Sequence, residues 1–466
     1  MQFGRRTEAS AQARLLRPDS VEALVMSVER RDSVKRPERV AQPGSVREEV
    51  APTAKPFVIS KRLVYEAYRL VKANAGSAGV DKQSIAAFEE NLKDNLYKLW
   101  NRMSSGSYFA PPVKAVPIPK KSGGERILGV PTVSDRIAQM VVKLEFEPAV
   151  EPHFLPDSYG YRPGKSALDA VGVTRTRCWD DDWVIEFDIK GLFDNIPHDL
   201  LMKAVEKHTD SAWIRLYVQR WLTAPMQMPD GTQRARDRGT PQGGVISPIL
   251  ANLFLHYVFD RWLKRHHPHV VWCRYADDGL LHCKTETQAV ALLQALRQRF
   301  DDCGLELHPV KTKIVYCKDG RRTGDYPNTS FEFLGYSFRR RGCWVERQNR
   351  MTLGFTPAVS RTSLKAMRTK IRKSRLRERT DLSLNEIADW LNPLMRGWLA
   401  YYGKYTRSAM YAIVRHVNKT LGRWAMRKFK SLGRGKLRAT AFFERCMKQR
   451  PGLFVHWREG MKGAFA

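Results

Sequence analysis

The chain has 466 residues and a mass of 53.6 kDa, which is more than one compact core usually holds, so we expect roughly two to four subdomains. A hydrophobic content of 43%, with 12 Trp, 16 Tyr and 20 Phe, excludes a wholly disordered chain. The 80 Lys and Arg residues outnumber the 48 Asp and Glu, giving a net charge of +32 and a pI near 10. Such an imbalance indicates a polyanionic partner, and nucleic acid is the leading candidate.

Neither a membrane span nor a disulfide framework is expected. The most apolar stretch, residues 244–259, contains Ser247, Pro248, Asn252 and His256, so it predicts a buried helix and not a bilayer span. The 7 cysteines include no Cys-x-x-Cys pair. Free thiols in a reducing compartment, without a zinc knuckle, are the simplest interpretation.

The charge is distributed unevenly along the chain. Residues 1–50 hold ten Lys and Arg, eight Asp and Glu and a single aromatic residue, Phe3, so we expect a disordered extension over residues 1–56. Residues 339–466 hold 31 Lys and Arg against seven Asp and Glu, a net charge of +24 out of the total of +32. The basic character therefore belongs mainly to one C-terminal module.

Within that module, residues 361–379 predict a helix with one apolar stripe and a basic remainder. Leu364, Met367 and Ile371 recur at helical spacing among nine basic residues. A charge run is often only a solvated face, but charges of one sign repel each other unless phosphates neutralise them. We therefore favour a nucleic-acid face here, with these candidate RNA-binding residues: Lys370, Arg372, Lys373 and Arg375.

The strongest chemical signal comes from two strand-like segments that carry carboxylates. Residues 183–189 alternate in polarity and predict a strand with Asp188 at its end. Residues 271–283 place Ala-Asp-Asp-Gly between two apolar runs, which predicts a β-hairpin with Asp277 and Asp278 at the turn. Carboxylates on two strands of a very basic protein suggest a two-cation site for phosphoryl transfer, because Mg²⁺ prefers oxygen ligands.

Five segments then carry a family resemblance. In chain order they read FDIKGLFDNIPHDLL, RGTPQGGVISPILANLFL, RYADDGLL, LELHPVKTKIV and FEFLGYSF. In their order and approximate spacing the chain resembles the reverse transcriptases encoded within group II introns, over roughly residues 60–450. The segment NPLMRGWLAYYGKY (392–405) matches the maturase-specific motif of that family.

The resemblance implies a catalytic centre. Asp188, Asp277 and Asp278 match the polymerase triad, which holds two Mg²⁺ ions on a right-hand palm. Phe193 matches the aromatic position that crowds a ribose 2′-hydroxyl and selects deoxynucleotides, although it could instead be an ordinary core residue.

Further contacts follow from the same resemblance. Lys120 and Arg126 flank a Ser-Gly-Gly turn in the fingers, where both could reach the triphosphate, although Lys121 could replace Lys120 or the charges could be ordinary surface ones. The expected contacts are Gln242 with the incoming nucleotide, and Arg162, Lys165, Gly243, Gly244 and the primer-grip residue Gly335 with template or primer.

The implied fold class is α+β: right-hand polymerase fingers and palm with an antiparallel palm sheet, followed by an all-helical thumb or maturase domain. The expected boundaries are 57–175 for the fingers, 176–345 for the palm and 346–466 for the thumb. Many family members continue into an endonuclease with paired cysteines. The sequence contains no such paired cysteines, so we do not expect this chain to cut target DNA itself.

The resulting hypothesis is an RNA-directed DNA polymerase that is also a maturase of a mobile intron. Its expected partners are group II intron RNA, an RNA template with a DNA primer, target DNA and deoxynucleotides, in the cytoplasm or nucleoid of a bacterium. Three alternatives remain: a splicing cofactor that does not polymerise, a reverse transcriptase recruited to DNA repair or CRISPR adaptation, and a viral RNA polymerase. Phe193 and the maturase motif argue against the last.

Overall fold

The computed structural model describes residues 55–119, 123–345, 349–433, 435–461 and 465. Nearly all of the predicted N-terminal extension, together with Lys120 and Lys121, lies outside these ranges. Within them, none of the helices combines the length and the apolar character that crossing a bilayer requires.

The N-terminal part is built of helices around one hairpin. Its elements are α1 (Lys61–Asn74), α2 (Ile85–Glu89), α3 (Leu92–Ser104), β1 (Val113–Pro119), β2 (Glu125–Val130) and α4 (Val133–Val150). Thr132 starts α4, since its side-chain oxygen accepts a hydrogen bond from the amide of Asp135 at 3.1 Å. Most of α4 is buried, and α1 packs against it through an apolar face that includes Val64 and Val71.

The central part contains the sheet that carries the aspartates. Its elements are α5 (Ala167–Asp180), β3 (Trp183–Asp188), α6 (Leu192–Asn195), α7 (His198–Glu206), α8 (Ala212–Thr223), β4 (Met226–Gln227), β5 (Gln233–Arg234), α9 (Ser247–Leu255), α10 (Arg261–His266), β6 (Val271–Tyr275), β7 (Asp278–Cys283), α11 (Glu286–Asp301) and β8 (Lys313–Tyr316). The strand order β6-β7-β3-β8 is antiparallel throughout, which confirms the predicted palm sheet. The apolar segment 244–259 is a buried helix, as predicted.

Both faces of this sheet are covered. Ile185 and Phe187 of β3 belong to the large core that the sheet shares with the fingers helices, whereas Val184 belongs to a smaller core on the opposite face. The alternation follows from the two-residue period of a strand. Phe187 packs against Phe259 and Phe300, with ring centroids 5.1 and 5.9 Å away, so the strand that ends in Asp188 is anchored in a rigid aromatic cluster.

The fingers sheet draws on two distant parts of the chain. Its strand order is β2-β1-β4-β5, and Val113 of β1 pairs in parallel with Met226 of β4. Residues 226–234, which the sequence assigned to the palm, therefore belong structurally to the fingers sheet.

A long β-ribbon joins the palm to the C-terminal helices. It contains β9 (Ser330–Phe333), β10 (Tyr336–Val345) and β11 (Arg350–Val359), with β10 at its centre. The predicted boundary at residues 345 and 346 therefore falls between two paired strands, and the all-helical part begins instead at Arg361.

The helical part surrounds a separate core. Its helices are α12 (Arg361–Lys373), α13 (Leu384–Tyr402), α14 (Tyr411–Lys428), α15 (Lys436–Gln449) and α16 (Val455–Arg458). The basic helix is shorter than predicted. It ends at Lys373 because Arg375 adopts a left-handed backbone with φ 49°, after which a 3₁₀ turn buries Leu376.

Candidate active site

The three aspartates meet at one end of the palm sheet. Asp188, the last residue of β3, lies directly opposite Asp278, the first residue of β7. Asp277 lies in the tight turn between β6 and β7, where the preceding residue, Ala276, has a φ of 56°. The predicted strand end and hairpin are both confirmed, and the side chain of Asp188 is 13% exposed.

Gly279 explains why the motif ends in glycine. It faces Phe187 across the β3–β7 pair, and a Cβ at this position would overlap the Phe187 ring. Only a residue without a side chain allows β7 to approach β3 so closely. The close approach keeps Asp278 opposite Asp188.

A buried arginine supports the turn from beneath. Arg274 is fully buried, and its guanidinium makes a bidentate ion pair with Asp260 at 2.8 and 2.7 Å. Nη1 also donates to the Ala276 carbonyl at 3.1 Å, immediately before Asp277. Asn252 and Ser158 accept the remaining bonds at 3.1 and 2.9 Å, so the cation is well satisfied.

The carboxylates share a crowded, poorly solvated environment. Burial, followed by the charges of Asp277 and Asp188, holds the pKa of Asp278 well above its usual range. Burial also raises the pKa of Asp277, with a further contribution from the charge of Asp188. A cation bound between these neighbouring carboxylates would stabilise their ionised forms.

Two lysines at or just before the start of β8 supply positive charge beside the palm carboxylates. Lys311 Nζ lies 2.8 Å from Asp188 Oδ2, and Lys313 Nζ lies 3.1 Å from Glu186 Oε2. Burial would lower the pKa of Lys311, but its hydrogen bond to Asp188 and the nearby carboxylates raise it overall.

Asp188 and Asp278 line a cleft of about 340 Å³, whose wall also includes Lys311 and Glu332. Within the described part of the chain, no three His, Cys, Asp or Glu side chains are gathered into a metal-binding cluster, and Asp188 is paired with Lys311. The donor set is nevertheless the one that hard divalent cations prefer, because all three side chains are carboxylates. The raised pKa values of Asp277 and Asp278 also fit a site that takes up positive charge.

The Pro-Gln-Gly-Gly loop connects the palm to the fingers. The Gly129 amide of β2 donates to the Gln242 carbonyl at 2.7 Å, while Gln242 Nε2 lies 3.4 Å from Asp194 Oδ2. Gly243 has a φ of 112°, and a Cβ there would lie 2.6 Å from the Gly129 carbonyl, so glycine is required.

Gln139 supports the same loop from α4, and sequence reasoning missed this residue. Its Oε1 accepts from the amide of Val245 at 2.7 Å, and its Nε2 donates to Asp135 Oδ2 at 2.9 Å. Asp135 Oδ1 in turn accepts from Tyr108 and Trp221. A polar pair at spacing four on an otherwise buried helix was the available signal.

The remaining nucleotide candidates lie on the elements expected for them. Arg126 is half-buried in β2 opposite Ile118, which confirms the hairpin, whereas Lys120 lies outside the described residues. Phe193 is half-buried in α6 and packs against the large core. Gly244 is buried, and Gly335 has a φ of 77° in the turn between β9 and β10, as the predicted hairpin requires.

Arg162 differs from expectation. It is buried, with Nε 2.9 Å from Glu151 Oε1 and Nη1 donating to the carbonyls of Leu155 and Ser158 at 2.7 and 2.9 Å. Its guanidinium is therefore committed to the protein interior and is not free to bind a template phosphate, contrary to the prediction. Lys165 is half-buried, and its Nζ donates to the Pro156 carbonyl at 3.0 Å.

Comparisons with known proteins agree with the geometry. Residues 118–338 match the model of the reverse transcriptase (RNA-dependent DNA polymerase) family, and residues 364–442 match the group II intron maturase-specific domain. Protein YkfC of Escherichia coli is 33% identical over 316 residues, which cover 59% of this chain and 80% of that protein. The chain belongs to the group II intron reverse transcriptase family.

A second curated protein matches over a shorter segment, and one solved structure aligns over a longer one. The group II intron-encoded protein LtrA of Lactococcus lactis is 30% identical over 203 residues, which cover 43% of this chain and 33% of LtrA. The solved telomerase of Candida albicans aligns with 81% of this chain and 68% of its own, at 13% identity and a TM-score of 0.41. This group II intron reverse transcriptase carries a reverse transcriptase region and a maturase-specific domain in one chain.

Proposed function

We propose that Asp188, Asp277 and Asp278 are the catalytic residues of an RNA-directed DNA polymerase and that they hold two Mg²⁺ ions. The observation that carries the proposal is the pairing of Asp188 with Asp278 across β3 and β7, with Asp277 in the adjoining turn. When bound, the ions supply electrostatic stabilisation of the primer 3′-oxygen and of the triphosphate.

The chain's own residues orient and select the substrates in this proposal. Gln242 contacts the incoming deoxynucleotide, and Arg126 and Lys120 neutralise its triphosphate. Phe193 crowds the ribose 2′ position, which favours deoxynucleotides. Lys165, Gly243, Gly244 and Gly335 lie along the template and primer.

Primer extension on an RNA template with deoxynucleotides and Mg²⁺ tests the catalytic assignment. We expect the variant Asp277→Ala/Asp278→Ala to lose at least about a hundredfold in rate, since residues that act as one unit fail together. The matched control is Asp301→Ala/Asp302→Ala, which removes an adjacent pair of exposed carboxylates at the end of α11 and should stay within about twofold of the wild type. Equal rates in both variants would refute the assignment.

We further propose that the helical domain binds the chain's own group II intron RNA to promote splicing, and that the ribonucleoprotein copies intron RNA into target DNA. Lys370, Arg372, Lys373 and Arg375 are all exposed, on α12 and just beyond it. Their charge fits contact with phosphates. Bacterial relatives support a cytoplasmic or nucleoid-associated location.

The salt dependence of RNA binding tests this second part. Replacing the four basic residues Lys370, Arg372, Lys373 and Arg375 by Ala should reduce the slope of log K against log salt by about one for each phosphate that is no longer neutralised. A matched change at Lys264 and Arg265, exposed at the end of α10, should leave the slope near the wild-type value. Equal slopes in the two variants would count against this RNA-binding face.

A further inference from the structure

The end of helix α13, inside the maturase-specific domain, holds the turn of the β9–β10 hairpin. The Tyr401 hydroxyl donates to the carbonyl oxygen of Leu334 at 2.9 Å. In the opposite direction, the Tyr336 hydroxyl of β10 donates to the main-chain carbonyl of Tyr401. The two elements are thus joined by reciprocal bonds between residues about 65 positions apart in the chain.

The second carbonyl of the turn is held as well. Gly335 O accepts from the Ser360 amide and from the Ser363 hydroxyl, each at 3.0 Å. Tyr402 completes the contact, with its hydroxyl 3.2 Å from Ser363 Oγ. Both carbonyl oxygens of the two-residue turn therefore accept hydrogen bonds from residues of α12, of its N-cap or of α13.

The turn also fits its surroundings sterically. Leu334 and Gly335 have φ values of 50° and 77°, as a tight two-residue hairpin turn requires. A Cβ on Gly335 would lie 2.8 Å from the Tyr402 hydroxyl and 2.9 Å from Ser363 Oγ. The space beside this turn is filled by the C-terminal domain.

Packing reinforces these bonds. Tyr336 is fully buried, and the Tyr401, Tyr402 and Tyr405 rings lie 5.4, 5.5 and 5.8 Å from it. Tyr402 packs both against the helical core and against the core behind the palm sheet. Two further bonds extend the attachment: the Tyr405 hydroxyl to Leu168 O at 2.8 Å and Thr406 Oγ1 to Pro357 O at 2.7 Å.

The same hairpin reaches the catalytic cleft. Glu332 and Phe333 of β9 line that cleft together with Asp188 and Asp278. Phe333 is adjacent to the turn, so a displacement of residues 334 and 335 would move a wall of the cleft. The tyrosines of α13 are therefore connected to the catalytic centre through one short strand.

We propose that Tyr401, Tyr402 and Ser363 are positioning residues for the primer: they fix the β9–β10 hairpin against the catalytic aspartates, so the maturase-specific helix sets the affinity for primer–template. This inference rests on the proposed function, in which Gly335 lies along the primer. These contacts also couple RNA binding by the helical domain to primer binding at the catalytic cleft. RNA bound to the helical domain that shifts α13 changes primer affinity, and primer binding changes RNA affinity by the same factor.

The test compares primer-extension kinetics of Tyr401→Phe with those of Tyr411→Phe. Tyr401→Phe removes only the hydroxyl that holds Leu334 O, and we expect the KM for primer–template to rise roughly 2- to 10-fold with kcat nearly unchanged. Tyr411 packs against the helical core, and its hydroxyl makes no hydrogen bond within the described residues, so its variant should keep the wild-type KM. A merely structural defect would lower the active fraction, and hence the apparent kcat, without raising KM.

Ser363→Ala gives an independent second variant, because it removes a bond to the other carbonyl of the turn and changes little volume. It should raise the primer KM in the same range, and it keeps the test decisive if Tyr401→Phe folds poorly. Wild-type KM values in both variants, with an active wild type, would overturn the positioning role alone. An inactive wild type would instead overturn the proposed polymerase function.

Discussion

Lys311 Nζ lies 2.8 Å from Oδ2 of Asp188, so a lysine two residues before β8 forms an ion pair with this carboxylate, and both residues line the cleft. The lysine side chain is 55% exposed, which limits the strength of the ion pair. Its ammonium group nevertheless contacts the carboxylate oxygen that a divalent cation would bind in the proposed site.

Removing this lysine should therefore strengthen cation binding. We expect Lys311→Ala to bind Mg²⁺ about fivefold more tightly by calorimetry, which corresponds to about 1 kcal/mol for a competing exposed charge. Lys190→Ala is the matched control, because Lys190 pairs with Glu306 at the same 2.8 Å distance but does not line the cleft. An unchanged or weaker Mg²⁺ affinity in Lys311→Ala would contradict the competition.

Gly279→Ala should damage both the fold and the catalytic centre. Its new methyl group would overlap the Phe187 ring, which is almost fully buried between Phe259 and Phe300 and cannot turn away easily. We expect a loss of about 1–3 kcal/mol in the free energy of unfolding by denaturant titration, together with a large loss of polymerase activity.

The clash can be tested with a second substitution. Phe187→Leu combined with Gly279→Ala should cost less than the sum of the two single changes, because the smaller side chain leaves room for the methyl group. Gly452→Ala is the control, since a Cβ there meets no atom within 4 Å. Strict additivity in the double variant would show that the Phe187 contact is not the cause.

Gln139→Ala should weaken nucleotide binding through the Pro-Gln-Gly-Gly loop. Removing the amide side chain leaves the buried Ile246 amide and the Val245 amide without their acceptor, and Asp135 Oδ2 without the bond from Gln139. We expect about 1–3 kcal/mol of lost stability and a higher KM for deoxynucleotides in single-nucleotide extension. Gln219→Ala, at an exposed position of α8, should change neither quantity, and an unchanged KM in Gln139→Ala would separate this network from the nucleotide site.

His282 predicts part of the acid sensitivity of the protein. Burial, with a smaller contribution from Arg177, lowers the pKa of His282 to about 3, and neither ring nitrogen has a hydrogen-bond partner among the described residues. The folded protein therefore keeps this imidazole neutral, while the unfolded chain takes up a proton below about pH 6.5. Its contribution to stability is complete above about pH 6.5 and is lost as the pH falls towards about 3.

Replacing this histidine should flatten the pH dependence. We expect His282→Leu to reduce the stability lost between about pH 7.5 and about pH 5.5 by about 1 kcal/mol, measured by urea unfolding at both pH values. His269→Leu changes an exposed histidine and should leave the pH dependence as in the wild type. A pH dependence that is identical in His282→Leu and the wild type would show that this group does not titrate on unfolding.

The sequence predicted the strand that carries Asp188 and the hairpin that carries Asp277 and Asp278 well, because their signals are local. The polarity pattern around Asp188 and the Ala-Asp-Asp-Gly turn identify strands and a turn within a dozen residues, whereas the palm sheet was expected from the family resemblance. Arg162 was misassigned because a sequence does not show whether a cation will find an acidic partner such as Glu151 inside the fold. The same limitation hid the pairing of Lys311 with Asp188.

Long-range pairings were equally invisible. The parallel contact of β4 with β1 joins residues more than 100 positions apart, and nothing in the local pattern of Met226 and Gln227 indicates it. The predicted boundary between residues 345 and 346 was misplaced for a related reason. The change from strand to helix occurs at Ser360, whose side chain caps α12, and the distribution of charged residues along the sequence does not indicate this position.

The fingers sheet is hydrogen-bonded to the loop that carries Gln242. Arg126 and the Gly129 amide lie on the same strand, and the Gly129 amide is bonded to the carbonyl of Gln242 at 2.7 Å. The strand of Arg126, which would neutralise the triphosphate, and the loop of Gln242, which would contact the nucleotide, are therefore joined by a hydrogen bond. A substitution that displaces β2 at Gly129 should therefore also displace the Gln242 carbonyl, so the two proposed nucleotide contacts would change together.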